Sequence, residues 1–320
     1  MSKKFLQSVV NPKGAFVRNE SKFRNFITGK HADGSSGFPA EANRYHLYVS
    51  LACPWAHRAL IVRSIKGLED IISCTVVDWF MTDKGWNFTD KKDKCTLDTV
   101  NGKEYLRQVY EIADPNYDGR TTVPLLWDKT KKTVVNNESS EIIRMLNSEF
   151  NTFCPTKEQS SIDLYPQKLR SQIDDVNSWI YTEINNGVYK SGFARTQEAY
   201  DIAVTALFKS LDRVEEILSK SRYLVGDQLT EADIRLFPTL VRFDAVYHGH
   251  FKCNKKRIID YPNMWKYTRD IYQTRGVSPT VDMHHITWHY MYSHESINPY
   301  RIVSIGPDLD FNEPHGREKR

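Results

Sequence analysis

Between Tyr45 and Val77 the chain runs strand, helix, strand within about 33 residues, and this constrains its fold more than any other feature. Tyr45-His46-Leu47-Tyr48-Val49-Ser50 has the β-branched and aromatic residues, and the partial alternation, of a strand. Cys53 and Pro54 follow, then an apolar helical pattern through about Lys66 that includes Ala59, Leu60, Val62 and Ile65. Ile71 to Val77 reads as a second strand. Two strands joined by a helical crossover are parallel. Thr121 to Asp128 reads as an apolar strand with Pro124 near its start, hairpinned through Asp128-Lys129-Thr130-Lys131 to a short strand at Thr133-Val134-Val135. Asn137-Glu138-Ser139-Ser140 then opens a helix, Glu141 to Asn147. The order is β-α-β followed by β-β-α, an α/β domain.

Residues 81–119 are polar and read as a long insertion. From about 160 the pattern is helical: one amphipathic stretch begins at Asp174, and a longer one over 196–220 places Ala203, Ala206, Leu207, Leu211, Val214 and Leu218 at helical spacing. Thr230-Glu231-Ala232-Asp233 opens another helix, with Thr230 as N-cap and Asp233 as a short-acid capping box. A chain of 320 residues exceeds the usual single-domain size. The expected division is an N-terminal arm over 1–43, an α/β domain over 44–152 and an all-helical domain with a C-terminal extension over 160–320. Lys and Arg number 44 against 40 Asp and Glu, a net charge of +4 with no dense basic stripe, so no nucleic-acid partner is expected. No run of about 18 apolar residues suggests a membrane span.

The five cysteines, at 53, 74, 95, 154 and 253, are too sparse for a secreted disulfide framework. Cys53 stands apart. It lies between a strand and a helix whose first residue is Pro54, tolerated there because its missing N–H would be unpaired anyway. The helix N–H groups and dipole favour a thiolate, the nucleophile of thiol–disulfide chemistry. A buried loop cysteine is the plain alternative. A strand opening with Val123-Pro124, after a βαβ unit with a Cys at a helix N-terminus, matches the thioredoxin-type arrangement, in which the proline peptide is usually cis and leaves the preceding backbone to pair with a bound thiol peptide. Glu138 and Ser139, at the next helix start, could hold an amino-acid moiety or merely cap the helix.

Four segments, Ser50 to Arg58, Thr122 to Asp128, Asn136 to Arg144 and Asn185 to Lys190, resemble the glutathionyl-hydroquinone reductases, the Xi class of glutathione transferases, and most of all their fungal omega-like branch. Gly226 to Arg235, His289 to His294 and Ile297-Asn298-Pro299 continue the match, which runs from about Tyr45 to Pro307. The resemblance implies a glutathione transferase fold: a thioredoxin-like N-terminal domain plus an all-α C-terminal domain, with the active site in a cleft between them and a homodimeric assembly. It implies that Cys53 is the nucleophile, that Trp86 covers glutathione, that Arg120, Thr121, Thr122 and Val123 pair with the tripeptide backbone, and that Glu138 and Ser139 clamp its γ-glutamyl end. Tyr189 matches the proton donor and acceptor at the phenol. Tyr247 and Tyr290 match the tyrosines that line the aromatic site and help lower the cysteine pKa. Any one of 17 tyrosines is by itself more simply a core residue.

The residue three after Cys53 is Ala56, so no second thiol is available at this motif and a monothiol cycle is expected. In that cycle Cys53 takes glutathione from a glutathionyl-hydroquinone as a mixed disulfide, and a second glutathione releases it as glutathione disulfide. The alternatives are a broader omega-like thiol transferase or dehydroascorbate reductase, which needs only Cys53 and the glutathione site, and a non-catalytic interaction module. His284, His285, His289 and His294 raise the idea of zinc, but no carboxylate or cysteine has a matching spacing, and structural histidines are the default. Glutathione as co-substrate and no metal are therefore expected. The first ten residues lack the apolar core of a secretory signal. Cytoplasmic residence is expected, with a mitochondrial presequence, basic through Lys3, Lys4, Lys13 and Arg18, as the alternative.

Overall fold

A computed structural model describes residues 10–29 and 37–318. The first nine residues, with Lys3 and Lys4 of the presequence alternative, lie outside the described residues, as do 30–36 of the arm and the last two residues. The described residues form two compact units, one within 20–163 with 279–289, the other of 10–19, 164–278 and 290–318. Neither the arm nor the tail thus stays within one unit: the arm divides after Asn19, and the segment 279–289 joins the sheet-bearing unit.

In the sheet-bearing unit the elements are β1 (Tyr45–Val49), α1 (Pro54–Ile65), β2 (Ser73–Val76), α2 (Leu106–Ala113), β3 (Leu125–Asp128), β4 (Thr133–Asn136) and α3 (Ser139–Ser148). The sheet order is β2-β1-β3-β4. β1 and β2 are parallel, as the crossover requires, and β3 runs antiparallel to both β1 and β4. β1 and β3 are buried throughout, which explains their near-continuous apolar sequences. α1 packs against α3, and α2 against β4. The β4 edge does not end the hydrogen bonding: Asn25 N–H donates to Val135 O at 3.0 Å and Asn137 N–H to Phe23 O at 3.1 Å, so the arm covers the last strand.

The polar insertion contains a helix that the sequence reading passed over. Leu106, Val109 and Tyr110 form its buried face at i, i+3, i+4 spacing. Its start is held by Gln108, whose side-chain oxygen accepts from the N–H groups of Glu104 and Tyr105 at 3.0 and 2.9 Å. One apolar turn among polar residues sufficed, because the face packs on β4.

In the helical unit α4 (Arg170–Trp179), α5 (Gly187–Gly192), α6 (Gln197–Lys220), α7 (Glu231–Arg242) and α8 (Pro262–Gln273) pack as neighbours, α6 against α5 and α8, and α7 against α4 and α8. Wide π-helical turns follow α4 at Ile180–Asn185 and α7 at Phe243–Tyr247. A final helix, Met283–Ser293, passes from one unit to the other after His289. Among the described residues no helix is long and apolar enough to cross a membrane.

The cap at Thr230 does more than capping requires. The Asp233 carboxylate accepts from Thr230 N–H (2.9 Å) and Oγ1 (3.1 Å), but also from Leu224 N–H (3.0 Å) and Tyr267 Oη (2.7 Å). It is fully buried, and burial pushes its pKa upward against these hydrogen bonds. Four donors from three places in the chain converge on one acceptor. Asp233→Ala strands them in the interior, and a loss of about 3 kcal/mol or more is expected. A urea midpoint within experimental error of the parent would refute this role.

Candidate active site

Cys53 is the N-cap of α1, in extended conformation at φ −75° and ψ 120°, with Pro54 at the first helical position. Its carbonyl accepts the His57 N–H at 3.0 Å, the first bond of the helix, so the residue stands at the positive end of the helix dipole. Sγ lies 3.5 Å from Val123 O, and the Val123–Pro124 peptide is cis. The thiol is half-buried. The other four cysteines differ in kind: burial pushes the Cys74 and Cys95 thiols up to about 11 and raises those of Cys154 and Cys253.

The segment 120–123 is held by two tyrosines. Tyr117 Oη donates to Arg120 O at 2.7 Å and Tyr110 Oη to Thr122 O at 2.8 Å, while Asn137 Nδ2 reaches Tyr110 Oη at 3.2 Å and Thr122 Oγ1 at 3.3 Å. The carbonyls of Arg120 and Thr122 thus already have protein donors, and Val123 is the residue of this segment that reaches the thiol. Thr121 turns its hydroxyl toward Gly85, where it would lie 3.5 Å from an added Cβ.

Glu138 is the N-cap of α3. Its carboxylate accepts from Ser140 N–H (3.1 Å) and Oγ (2.9 Å), and from Ser21 Oγ of the arm (3.2 Å). Burial opposes its charge, but the Ser140 bonds, the Arg58 guanidinium and the Ser21 bond together outweigh burial and hold the carboxyl below its usual range. Ser139, buried beside it, accepts from Arg58 Nη1 at 3.3 Å, and the Arg58 guanidinium lies 4.5 Å over the Trp55 ring. Trp86 is buried and stacks on His289 at 4.9 Å and 27°. A backbone carbonyl can only accept, so the His289 Nδ1 that lies 2.7 Å from Trp79 O carries the proton.

The three tyrosines singled out by sequence meet in the helical unit. Tyr189 Oη lies 2.5 Å from Tyr290 Oη, and Tyr290 Oη lies 3.0 Å from Tyr247 Oη. Burial pushes Tyr247 and Tyr290 well above the ordinary phenol pKa. Tyr247 is 0% exposed, Tyr290 2% and Tyr189 9%, so all three are buried and Tyr189 lies least deep. Phe193, Phe251 and His294 complete the cluster. Gly192 is the residue that lets Phe251 in: a Cβ there would sit 2.2 Å from the ring.

The histidines are engaged individually. His285 Nε2 bonds Asp93 O at 2.8 Å, His289 holds Trp79 O, and His250 Nε2 lies 3.1 Å from His294 Nδ1. Among the described residues no three His, Cys, Asp or Glu side chains converge as metal ligands. Ser21, Arg58, Tyr110 and Asn137 were not singled out as site residues by sequence, and His289 entered there only as a zinc candidate. Arg58 was legible in retrospect, being a charged residue inside an apolar helix face.

Two family models match, the glutathione S-transferase N-terminal domain over residues 52–149 and the C-terminal domain over 197–270. The glutathionyl-hydroquinone reductase YqjG of Escherichia coli is 55% identical over 96% of this chain and 93% of its own. The omega-like glutathione S-transferase 2 of Schizosaccharomyces pombe is 49% identical, covering 92% and 94%. Among solved structures, the glutathione-S-transferase Xi of Phanerochaete chrysosporium superposes with a TM-score of 0.89 at 51% identity, over 93% of this chain and 94% of that one. The glutathione-bound structure of YqjG gives 0.89 at 54% identity, over 93% and 96%.

Because burial disfavours four of the five thiolates, iodoacetamide at neutral pH is expected to alkylate Cys53 first. Peptide mapping that found Cys74 or Cys154 modified earlier would contradict the placement of the reactive thiol.

Proposed function

The chain belongs to the glutathionyl-hydroquinone reductases, the Xi-class glutathione transferases, and on that footing we propose that it removes glutathione from glutathionyl-hydroquinones through a mixed disulfide at Cys53. The observation that carries the proposal is Cys53 Sγ at the N-terminus of α1, 3.5 Å from the Val123 carbonyl, with the Glu138 carboxylate held ionised at the next helix start.

The residues present suit glutathione as substrate. Glu138, charged below the ordinary carboxylate range, takes the γ-glutamyl ammonium group, and the Ser139 hydroxyl and N–H at the start of α3 take its carboxylate. Val123 pairs with the cysteinyl backbone, and Trp86, fixed by its stack on His289, covers the tripeptide. Cys53 thiolate attacks the sulfur of the conjugate: the Cys53–sulfur bond forms, the sulfur–aromatic carbon bond breaks, and the electron pair stays on carbon, which takes a proton from Tyr189. A second glutathione thiolate then attacks the mixed disulfide, giving glutathione disulfide and regenerating the Cys53 thiolate. The net change is one free glutathione consumed: its sulfur and that of the conjugate are each oxidised by one electron to the disulfide, and the carbon–sulfur bond is reduced to carbon–hydrogen. Tyr290 and Tyr247, neutral because they are buried, keep Tyr189 hydrogen-bonded as it gives up and regains its proton.

We further propose that the protein works as a cytoplasmic homodimer and acts on neither membranes nor nucleic acid. Light scattering on the purified protein tests the assembly, and fractionation of the source cells the compartment.

Cys53→Ala is expected to abolish release of hydroquinone from the conjugate; retained turnover would sink the assignment. Tyr189→Phe is expected to slow that reaction by about 10²-fold while sparing glutathione-dependent reduction of hydroxyethyl disulfide, whose sulfur leaving group needs no proton delivered to carbon. Equal losses on both substrates favour a general thiol transferase instead. Glu138→Gln is expected to weaken glutathione binding at least about tenfold by calorimetry. In the parent, affinity is expected to persist as pH falls through the ordinary carboxylate range and to fade only below it; a loss centred at the ordinary value would show that Glu138 is not the anchor.

A further inference from the structure

The arm does more than lead into the fold. Residues 10–19 belong to the helical unit, where Arg195 N–H donates to Gly14 O at 2.9 Å and Thr196 Oγ1 to Lys13 O at 3.2 Å. Gly14 sits at φ +78°, and a Cβ there would lie 2.9 Å from Thr196 Cγ2, so the close approach needs glycine. Anchored in this way, the arm lays Phe16 against Tyr189 and Phe193, at 6.1 and 5.7 Å between ring centres. Two residues on, the Arg18 guanidinium carbon lies 5.1 Å from the centre of the Tyr189 ring and 5.4 Å from that of Phe16. Arg18 Nε donates to Asn186 Oδ1 at 2.6 Å, three residues before Tyr189, which fixes the cation over the ring.

We propose that Arg18 is a positioning residue for proton transfer at Tyr189, its cation stabilising the negative charge that builds on the phenol oxygen as the proton leaves for the substrate carbon. The proposal rests on Tyr189 being the proton donor. A cation held over an aromatic face is attracted to it, and the attraction grows as the ring gains negative charge. The other charged or titratable groups around Tyr189 come from every neighbouring element. Tyr290 and His294 come from the final helix and its end, and Tyr247 from the π turn. Arg242 at the end of α7 acts on both buried phenols, and Lys190 of α5 gives its ammonium to Thr182 O at 3.0 Å. Arg18 differs from these in lying over the face of the Tyr189 ring itself.

The test compares the parent, Arg18→Gln, Arg18→Lys, Tyr189→Phe and the double variant Arg18→Gln/Tyr189→Phe, on glutathionyl-hydroquinone and on hydroxyethyl disulfide. Arg18→Gln is expected to lower kcat on the quinol conjugate about tenfold with KM for glutathione unchanged, and to move the alkaline limb of its pH profile upward, because a phenol without its cation is a weaker acid. Disulfide reduction is expected to be unaffected, which also shows that the protein remains folded. Arg18→Lys keeps the charge without the planar stack and restores part of the rate. In the Tyr189→Phe background Arg18→Gln is expected to add nothing. Full activity of Arg18→Gln, equal loss on both substrates, or a loss with an unmoved alkaline limb and no rescue by lysine overturns the role. If Tyr189→Phe shows no selective loss, the proton-donor reading falls and takes this one with it. If Tyr189→Phe loses selectively and Arg18→Gln does not, only the role of Arg18 falls.

Discussion

The antiparallel pairing of β1 with β3 is the contact on which the thiol site depends. Its register sets Tyr48 opposite Leu125, which brings the turn after β1 and the residues before β3 to the same end of the sheet. Cys53 and Val123 are 70 residues apart in sequence, yet this register leaves Sγ 3.5 Å from the Val123 carbonyl. A slip of one residue would carry the side chains of one strand to the opposite buried face and move Val123 along the sheet from the thiol, upsetting the packing and the site together. Burial of both strands therefore stabilises the fold and fixes the geometry at the nucleophile. The parallel partner β2 contributes by forcing the crossover that aims the start of α1 at the thiol.

Around this frame, polar residues do the fine placement. Tyr110 and Tyr117 hold the Thr122 and Arg120 carbonyls, and Asn137 ties Tyr110 to the start of α3. The candidate peptide-binding edge and the candidate γ-glutamyl clamp thus share one hydrogen-bond network, anchored on α2. That helix is also where the sequence was hardest to read. Its apolar face is three residues wide within a polar stretch, and its stability comes from packing on β4 rather than from its own pattern.

The strands, the helix starting at Pro54, the hairpin and the capping box at Thr230 were legible because each depends on local chemistry: alternation, a missing N–H, a turn, a nearby acid. Cys53 was legible for the same reason, as a thiol at a helix start. The contacts of the arm were not. Arg18 reaches Asn186 and Tyr189, and Ser21 reaches Glu138, across separations for which no periodicity exists in a polar, glycine-containing stretch. Nor does composition show that consecutive residues such as His289 and Tyr290 serve different units. The tyrosines stood out only through their motif context, since nothing local separates Tyr189 from the other tyrosines.

What distinguishes Tyr189 is the asymmetry of its cluster. Three phenols form a hydrogen-bonded chain, and burial makes ionisation of the inner two costly, since a phenolate there would lose its hydration with little in return. Tyr247 and Tyr290 therefore remain hydrogen-bond donors across the working pH range. Tyr189 is the least deeply buried of the three, and its oxygen lies 2.5 Å from the Tyr290 hydroxyl. The inner pair thus acts as a fixed, neutral support for the one phenol over which the arm lays a cation.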